Sequence, residues 1–237
     1  MAKKKEISLQ PKDILPHDVA AIRREIAKFL NRKDAENRVI GNSRFGVYAF
    51  YDYDAEPIYV GQTKENLRTR IRRHLTNQRT DGVAMNVLDP FEVAEIEVWP
   101  VYPETAKQMD ITSFLDAAEF TVFQKVLKES ALRAVLNEKD IPSKPLVRLP
   151  ESFRARIIPD TIYEHRKHPD VRIARRASTI SALARVISER DVSLGLRRTL
   201  LTQARRLEKL ARERFDETSK AGLKLEHGLE AEISEKE

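Results

Sequence analysis

The sequence contains no cysteine, and this absence removes several kinds of chemistry at once. Without thiols the chain has no disulfide bond, no cysteine-ligated zinc site and no cysteine nucleophile. Its five histidines are scattered, and none belongs to the HExxH pattern of zinc hydrolases. Any metal ion would therefore have to be held by oxygen ligands.

Long hydrophobic runs are lacking as well. No apolar segment approaches the roughly 18 residues that a membrane-spanning helix needs. The lysine-rich N-terminus, MAKKKEISLQ, is not followed by the apolar segment of a signal peptide. We therefore expect no membrane association and a cytoplasmic location.

The excess of one charge sign is modest. The 43 lysine and arginine residues outnumber the 37 aspartate and glutamate residues, which gives a formal net charge of +6. A basic balance suits a polyanionic partner such as nucleic acid, but an excess of this size also occurs in many other soluble proteins. The positions of the basic residues therefore matter more than their number.

Hydrophobic periodicity predicts a mixed α/β (α+β) protein. Apolar residues at intervals of three and four predict helices at 18–32, 64–77 and about 110–128. Segments rich in β-branched and aromatic residues predict strands at 45–53, 58–60 and 91–102. At 237 residues the chain has room for one domain with a large extension, or for two small domains.

The same patterns divide the chain into four parts. Residues 1–43 are predicted to form an N-terminal helical arm and linker, and residues 44–142 the central domain. Residues 143–215 are predicted to form a helical hairpin in which basic residues outnumber acidic residues about two to one. Residues 216–237 are acidic and weakly patterned, which predicts a disordered tail.

Five polar or aromatic positions in the central domain are candidates for function. Tyr48 and Tyr59 share one face of the predicted hairpin if its loop has two or four residues, because side chains alternate along a strand. Arg70 and His74 lie on or beside the apolar stripe of the following helix. Glu119 lies on the apolar ridge of a later helix, where a carboxylate is costly unless it is paired or binds a metal.

Each of these positions also has a structural interpretation. The two tyrosines can be ordinary strand aromatics that fill a sheet face. Arg70 and His74 can extend their polar ends into solvent from the helix surface. Glu119 can be one partner of a buried ion pair.

Taken together, the motifs resemble those of the GIY-YIG nuclease superfamily, and most closely the pattern of its restriction endonucleases. The matching positions are GVY at 46–48, YVG at 59–61, Arg70, His74, Glu119 and Asn137. The resemblance covers roughly residues 45–140. It implies a small domain with a three-stranded antiparallel sheet flanked by helices. It also implies hydrolysis of a nucleic-acid phosphodiester with one divalent metal, Mg²⁺, for which Mn²⁺ is a candidate substitute.

The resemblance implies a role for each matching side chain. Tyr48 would act as the general base, although the pKa of a free tyrosine, about 10, would have to be lowered by its neighbours. His74 would accept or orient the phenolic proton, and Arg70 would bind the scissile phosphate. Tyr59 would donate a hydrogen bond to the phosphate or to a neighbouring side chain.

The resemblance makes Glu119 the only protein ligand of the metal, with water and phosphate oxygens completing an octahedral shell. Asn137 would brace the site, but its interval from Glu119 is longer than in the family pattern, which leaves its part open. Asp116 is an alternative to Glu119. A second departure is Gln62, which stands where many members have a lysine, and this makes His74 the expected partner of the catalytic tyrosine.

Basic side chains outside the catalytic motifs are predicted to contact the phosphates of double-stranded DNA. These residues are Arg68, Arg72, Arg73, Arg175, Arg176, Arg197 and Arg198. The basic helices alternatively serve packing or dimerisation, and a two-fold homodimer would suit the cutting of both strands.

The leading functional hypothesis is a Mg²⁺-dependent DNA endonuclease of restriction or phage-defence type. One alternative is a nuclease of DNA repair, recombination or a mobile element, because these enzymes share the motif residues. The other is a non-catalytic nucleic-acid-binding module on the same fold, for which Gln62 is the only indication.

Overall fold

The computed structural model of the protein describes residues 16–75, 87–106 and 109–234, with side chains described as far as residue 220. The strands are β1 (Phe45–Tyr51), β2 (Pro57–Thr63), β3 (Glu95–Val101) and β4 (Phe153–Arg156). The helices are α1 (His17–Leu30), α2 (Leu67–Leu75), α3 (Pro103–Ala106), α4 (Ile111–Glu129), α5 (Asp160–Lys167), α6 (Pro169–Glu189) and α7 (Leu194–Ser234). Short 3-10 turns lie at Ile40–Asn42 and Pro90–Glu92.

A single antiparallel sheet of four strands, in the order β2-β1-β3-β4, forms the centre of the fold. The predicted α/β class and the antiparallel sheet flanked by helices are confirmed. The fourth strand was not predicted, because it is a four-residue segment, FRAR, in which Arg154 and Arg156 conceal the apolar alternation. Its inward residues, Phe153 and Ala155, pack against the main core.

The β1–β2 hairpin brings Tyr48 and Tyr59 to the same face of the sheet. Its loop, residues 52–56, has five residues rather than two or four, and the register shifts by one residue between Phe50 and Tyr51. This bulge restores the alternation that an odd loop would break. Tyr48 therefore pairs with Gly61 and Phe50 pairs with Tyr59, and the two tyrosine rings stack at 6.2 Å between centroids.

The two faces of the sheet bury separate cores. Alternate residues of β1, Val47, Ala49 and Tyr51, face a core that contains Leu115, Val122 and Val126 of α4. The intervening residues, Tyr48 and Phe50, face a larger core that contains residues from α1, α2, α6 and α7. Helices α2 and α4 therefore pack on opposite faces of the sheet.

Segment 143–215 is more than a helical hairpin. It begins with an extended stretch, contributes β4 to the central sheet and then forms α5, α6 and most of α7. Ile157, Ile158, Leu183 and Leu196 belong to the same core as Tyr48, so this segment packs as part of the central domain. Since these apolar contacts are distant in sequence, local periodicity does not predict them.

The acidic residues 216–234 form the second part of α7. The segment predicted to be disordered continues α7 as helix as far as Ser234. Residues 1–15, 76–86, 107–108 and 235–237 lie outside the described residues, and they include the end of the helix predicted at 64–77. No helix in the described ranges is both long and apolar enough to cross a membrane.

A group of buried charges joins the hairpin loop to the C-terminal helices. Asp52 accepts hydrogen bonds from Arg206 at 2.5 Å, Arg176 at 2.9 Å and Arg172 at 3.3 Å. Arg176 also donates to Glu92 at 2.9 Å. Burial raises the pKa of Glu92, and Arg176 and Arg172 oppose that shift. We call these five residues the Asp52 cluster.

Candidate active site

The Tyr48 hydroxyl lies at the centre of a group of polar side chains on the α2 face of the sheet. It is fully buried, 3.1 Å from Nε2 of His74, and it accepts a hydrogen bond from Nε of Arg70 at 3.2 Å. Because Arg70 occupies an acceptor position of the oxygen, the hydroxyl hydrogen is available for His74. This network assigns the acceptor role to Nε2 of His74.

Helix α2 turns Arg70 and His74 toward the sheet. Its buried residues Leu67, Ile71 and Leu75 recur at intervals of four, and Arg70 and His74 fall on the same side of the helix. The placement of both side chains beside Tyr48 therefore follows from the amphipathic pattern of the helix. The two residues are one helical turn apart, which lets both reach the same oxygen.

Arg70 remains a cation in this setting. Burial lowers the pKa of its guanidinium, but the oxygens of Tyr48 and Tyr59 and the carboxylate of Glu65 more than offset this and raise the pKa above its ordinary value. A fixed positive charge therefore lies next to the Tyr48 oxygen, and it also favours the ionised form of that oxygen.

Tyr59 completes the aromatic part of the group. Its ring centroid is 5.2 Å from His74 and 5.9 Å from Phe50. The Tyr59 side chain is only partly buried, so it lies on the solvent side of Tyr48. This position suits a side chain that meets an incoming ligand before Tyr48 does.

Gly61 is the residue of β2 that pairs with Tyr48, and it has a steric reason to be glycine. A Cβ atom there would lie 2.6 Å from the Tyr48 hydroxyl and 3.0 Å from the Tyr59 ring. Any larger residue would therefore displace the hydroxyl from His74 and Arg70.

Glu119 lies on α4, on the other side of the β2 edge. Its Oε2 accepts a hydrogen bond from Nε2 of Gln62 at 3.0 Å, and the same nitrogen donates to Oδ1 of Asp116 at 2.8 Å. Burial raises the pKa of the Glu119 carboxyl and the charge of Asp116 adds to the rise, while Gln62 and the cation of Arg70 oppose it. The interaction with Arg70 places Glu119 within electrostatic reach of the Tyr48 group.

The donor set around Glu119 fits a hard divalent cation. Carboxylate oxygens are the ligands that Mg²⁺ prefers, and it commonly takes only one or two of them from the protein. Glu119 and Asp116 both lie within hydrogen-bond distance of one nitrogen, and Oε1 of Gln62 is buried without a hydrogen-bond partner. In the described ranges no group of three histidine, aspartate or glutamate side chains could hold a metal. Glu119 and Asp116 are the carboxylates of this site that could hold a divalent cation.

Asn137 braces the edge strand. Its Nδ2 donates to the Val60 carbonyl at 2.7 Å, and its Oδ1 accepts from the Val60 amide at 3.2 Å. The amide of Leu136 donates to the carbonyl of Ile58 at 2.8 Å. The carboxamide thus replaces a neighbouring strand beside β2, immediately before Gly61.

The three arginines on α2 that were predicted to bind DNA have different environments in the structure. Arg68 donates to the Leu30 carbonyl at 3.1 Å and to Asn31 at 2.8 Å, which fastens α2 to the end of α1. Arg73 forms a two-pronged ion pair with Glu65 at 2.9 and 2.5 Å. Arg72 is exposed on the outer face of the helix.

The four predicted arginines of α6 and α7 have different environments. Arg176 is buried in the Asp52 cluster, so its guanidinium belongs to the interior and is not presented to a ligand. Arg175 binds Asp89 through two hydrogen bonds of 2.8 and 2.9 Å. Arg198 forms an ion pair with Asp140, and Arg197 is exposed.

The contact of Gln62 with both carboxylates was not predicted. The sequence did contain a signal for it, because Gln62 follows Gly61 and must face the opposite side of β2, toward α4. Asp116 and Glu119 are three residues apart on α4 and therefore share one helix face. Whether Gln62 meets Asp116 and Glu119 depends on how β2 is positioned along α4. That position is set by tertiary packing and is not visible in the sequence.

The fold and the site define a small α/β domain with a tyrosine, an arginine and a histidine on one side of a sheet edge and carboxylates on the other. Residues 44–110 match the family model described as the GIY-YIG catalytic domain. This part of the chain is therefore similar to the catalytic domain of the GIY-YIG nuclease superfamily. Comparison with curated proteins and with solved structures gave no match.

Proposed function

We propose that the protein is a Mg²⁺-dependent endonuclease that hydrolyses phosphodiester bonds of double-stranded DNA, with a role in restriction or phage defence. The observation that supports this most is the Tyr48 hydroxyl, bonded to His74 on one side and Arg70 on the other. One partner can accept the phenolic hydrogen, and the other is a cation that stabilises the ionised oxygen.

The attacking water needs a base, and Tyr48 with His74 supplies one. Nε2 of His74 takes the phenolic hydrogen, and the Tyr48 oxygen then accepts a proton from water. The neighbouring cation of Arg70 stabilises the phenolate in this step. Since the hydroxyl is buried beneath Tyr59, the phosphate enters from the Tyr59 side.

The phosphate and the leaving group need positive charge. Arg70 supplies a fixed guanidinium that binds non-bridging phosphate oxygens and offsets the charge of the pentavalent transition state. Bound Mg²⁺ would act as a Lewis acid and stabilise the leaving 3′ oxygen. Glu119 would hold the ion, and Gln62 would fix the orientation of Glu119 and Asp116.

The assignment to restriction or phage defence rests on the partner of Tyr48. The chain has Gln62 where many members of the superfamily have a lysine, and His74 lies within hydrogen-bond distance of the tyrosine instead. This arrangement is the one expected of the restriction-type members. Digestion of methylated and unmethylated DNA, with sequencing of the ends, tests this part: random nicking of both substrates would contradict it.

A plasmid-nicking assay with Mg²⁺, and with EDTA as a control, tests the endonuclease. We expect Glu119→Gln to lower the rate at least 100-fold while DNA binding persists, because the amide is a much poorer Mg²⁺ ligand. The matched control is Glu65→Gln, which breaks an exposed ion pair with Arg73 and should stay within a few-fold of wild type. Equal activity of Glu119→Gln and wild type would refute the assignment. DNA binding without metal-dependent cleavage would support a non-catalytic module.

A further inference from the structure

The side chain of Gln62 presents its carboxamide to both carboxylates of the candidate metal site. Its Nε2 lies 2.8 Å from Oδ1 of Asp116 and 3.0 Å from Oε2 of Glu119, so the two oxygens converge on one atom. Its Oε1 is buried and has no hydrogen-bond partner among the residues that the structure describes. The nitrogen end of the carboxamide is therefore engaged, whereas the oxygen end is not.

The negative charge of the two carboxylates is weakly compensated. Gln62 is neutral, and the nearby ammonium of Lys64 is 4.0 Å from Oδ1 of Asp116 on a side chain that is half exposed. An ion pair of this kind contributes little. Burial raises the pKa of the Glu119 carboxyl, and the neighbouring charge of Asp116 adds to the rise. A cation between the two carboxylates would relieve this repulsion.

The end of the carboxamide that faces the carboxylates depends on what they bind. Without a metal, the N–H groups face the carboxylate oxygens, because the amide oxygen would repel them. A divalent cation between the carboxylates reverses this preference, because it repels N–H groups and binds carbonyl oxygens.

Rotation about the Cγ–Cδ bond of Gln62 exchanges the two ends. This terminal torsion has broad, roughly two-fold minima, so both orientations are accessible. Since Oε1 accepts no hydrogen bond within the described part of the chain, the rotation gives up only the two bonds that Nε2 donates there. The acceptors of those two bonds are the oxygens that turn to the cation.

We propose that Gln62 is a ligand of the divalent cation through Oε1, and that its carboxamide rotates from Nε2 to Oε1 when the ion binds. Glu119, Asp116 and Gln62 then supply three oxygen ligands, and water and phosphate oxygens complete an octahedral shell. A lysine at position 62 could not take this part, because its ammonium has no acceptor atom. The proposal rests on the proposed function, from which it takes the metal site.

Isothermal titration calorimetry of the full chain with Mn²⁺, without DNA, tests the ligand role. We expect Gln62→Leu, which removes the oxygen at similar size, to raise the dissociation constant at least tenfold. Gln62→Glu restores an oxygen ligand and should bind Mn²⁺ at least as tightly as wild type. The matched control is Gln124→Leu, the same substitution at a partly buried position on α4, and it should stay within twofold of wild type.

The same titration separates this proposal from the proposed function. If Gln62→Leu binds Mn²⁺ as tightly as wild type, or more tightly, the ligand role is overturned, because Gln62 then only holds the carboxylates or competes with the ion. Metal dependence through Glu119 would survive that result. If the wild type binds no Mn²⁺, both the ligand role and the Mg²⁺ dependence are overturned.

Nuclear magnetic resonance of the wild-type protein tests the rotation without any variant. When Mg²⁺ is added to the saturation determined by calorimetry, the Nε2 hydrogens of Gln62 lose their carboxylate acceptors. Because a hydrogen bond to a carboxylate moves a proton signal downfield, we expect these side-chain amide protons to move upfield, and those of Gln124 to stay unchanged. Gln62 signals that stay in place or move downfield overturn the rotation.

Discussion

At the scale of single residues, the Tyr48 hydroxyl oxygen is the atom that both His74 and Arg70 contact. We expect Tyr48→Phe to lower plasmid nicking by about 100-fold to 10,000-fold, because that is the usual contribution of a general base. Removing the hydroxyl also deprives buried His74 and partly buried Arg70 of this hydrogen-bond partner, which should lower the free energy of unfolding by about 1–3 kcal/mol. Initial nicking rates and urea denaturation measure the two effects.

Tyr53→Phe is the matched control for that prediction. Tyr53 is buried too, and its hydroxyl donates to the Phe91 carbonyl at 3.1 Å, away from Arg70 and His74. The Tyr53→Phe variant should lose about 1 kcal/mol of stability and keep the wild-type nicking rate. Comparable loss of activity in both variants would mean that stability, and not the base, explains the effect.

The individual side chains of the site differ in how far the sequence predicted them. Helical periodicity was sufficient to predict that Arg70 and His74 face the sheet, because the apolar residues of the helix identify the face that packs on it. Gln62 needed two pieces of tertiary information: the register of β2 and the position of α4 against it. The interior position of Arg176 could not be predicted either, because its partners Asp52 and Glu92 lie about 85 to 125 residues earlier.

At the scale of elements, the β1–β2 hairpin has room for the Tyr48 hydroxyl because the paired residue on β2, Gly61, has no side chain. In Gly61→Ala the new Cβ would lie 2.6 Å from the Tyr48 hydroxyl, so the ring must shift away from His74. We expect a loss of about 1–3 kcal/mol in stability from overpacking, and a loss of nicking activity that exceeds what this destabilisation explains. Urea denaturation and nicking rates, both measured at 25 °C, separate the two.

Gly46→Ala tests whether the effect is specific. Its Cβ would meet Leu67 at 2.8 Å, so it should disturb the packing of α2 by a similar amount without touching the Tyr48 hydroxyl. For each kcal/mol of lost stability, the loss of nicking activity should therefore be larger in Gly61→Ala than in Gly46→Ala. If the two variants lose activity in proportion to stability alone, Gly61 has no special relation to the tyrosine.

Most elements were predictable because their patterns are local. The aromatic and β-branched content of β1 and the period of 3.6 in α2 and α4 each identify an element without knowledge of the rest of the chain. The bulge beside Phe50 and the short strand β4 were not predictable in this way. A bulge shows only when two strands are paired, and β4 is a strand only because β3 offers it a free edge.

At the scale of the whole molecule, the Asp52 cluster connects the hairpin that carries Tyr48 with the C-terminal helices. Asp52 is 2% exposed and has three arginine partners. We expect Asp52→Asn to lower the free energy of unfolding by about 3–5 kcal/mol, because it removes the negative charge that three buried guanidinium groups share. Urea denaturation monitored by circular dichroism measures this loss.

Asp160→Asn provides the comparison for a surface ion pair. The Asp160 side chain is 88% exposed and binds Arg156. It should change the free energy of unfolding by less than about 1 kcal/mol. If Asp52→Asn is as mild as this control, the cluster does not stabilise the junction between the hairpin and the C-terminal helices.

The contact between Asp52 and Arg206 joins residues 154 positions apart, and this has a consequence for synthesis. A chain is made from its N-terminus, and its early segments leave the ribosome long before the late ones. The hairpin with Tyr48 therefore emerges without the arginines that neutralise its buried carboxylate. We expect the Asp52 cluster to form only after α7 has been translated, so the order of synthesis itself delays the folding of the junction between the hairpin and the C-terminal helices.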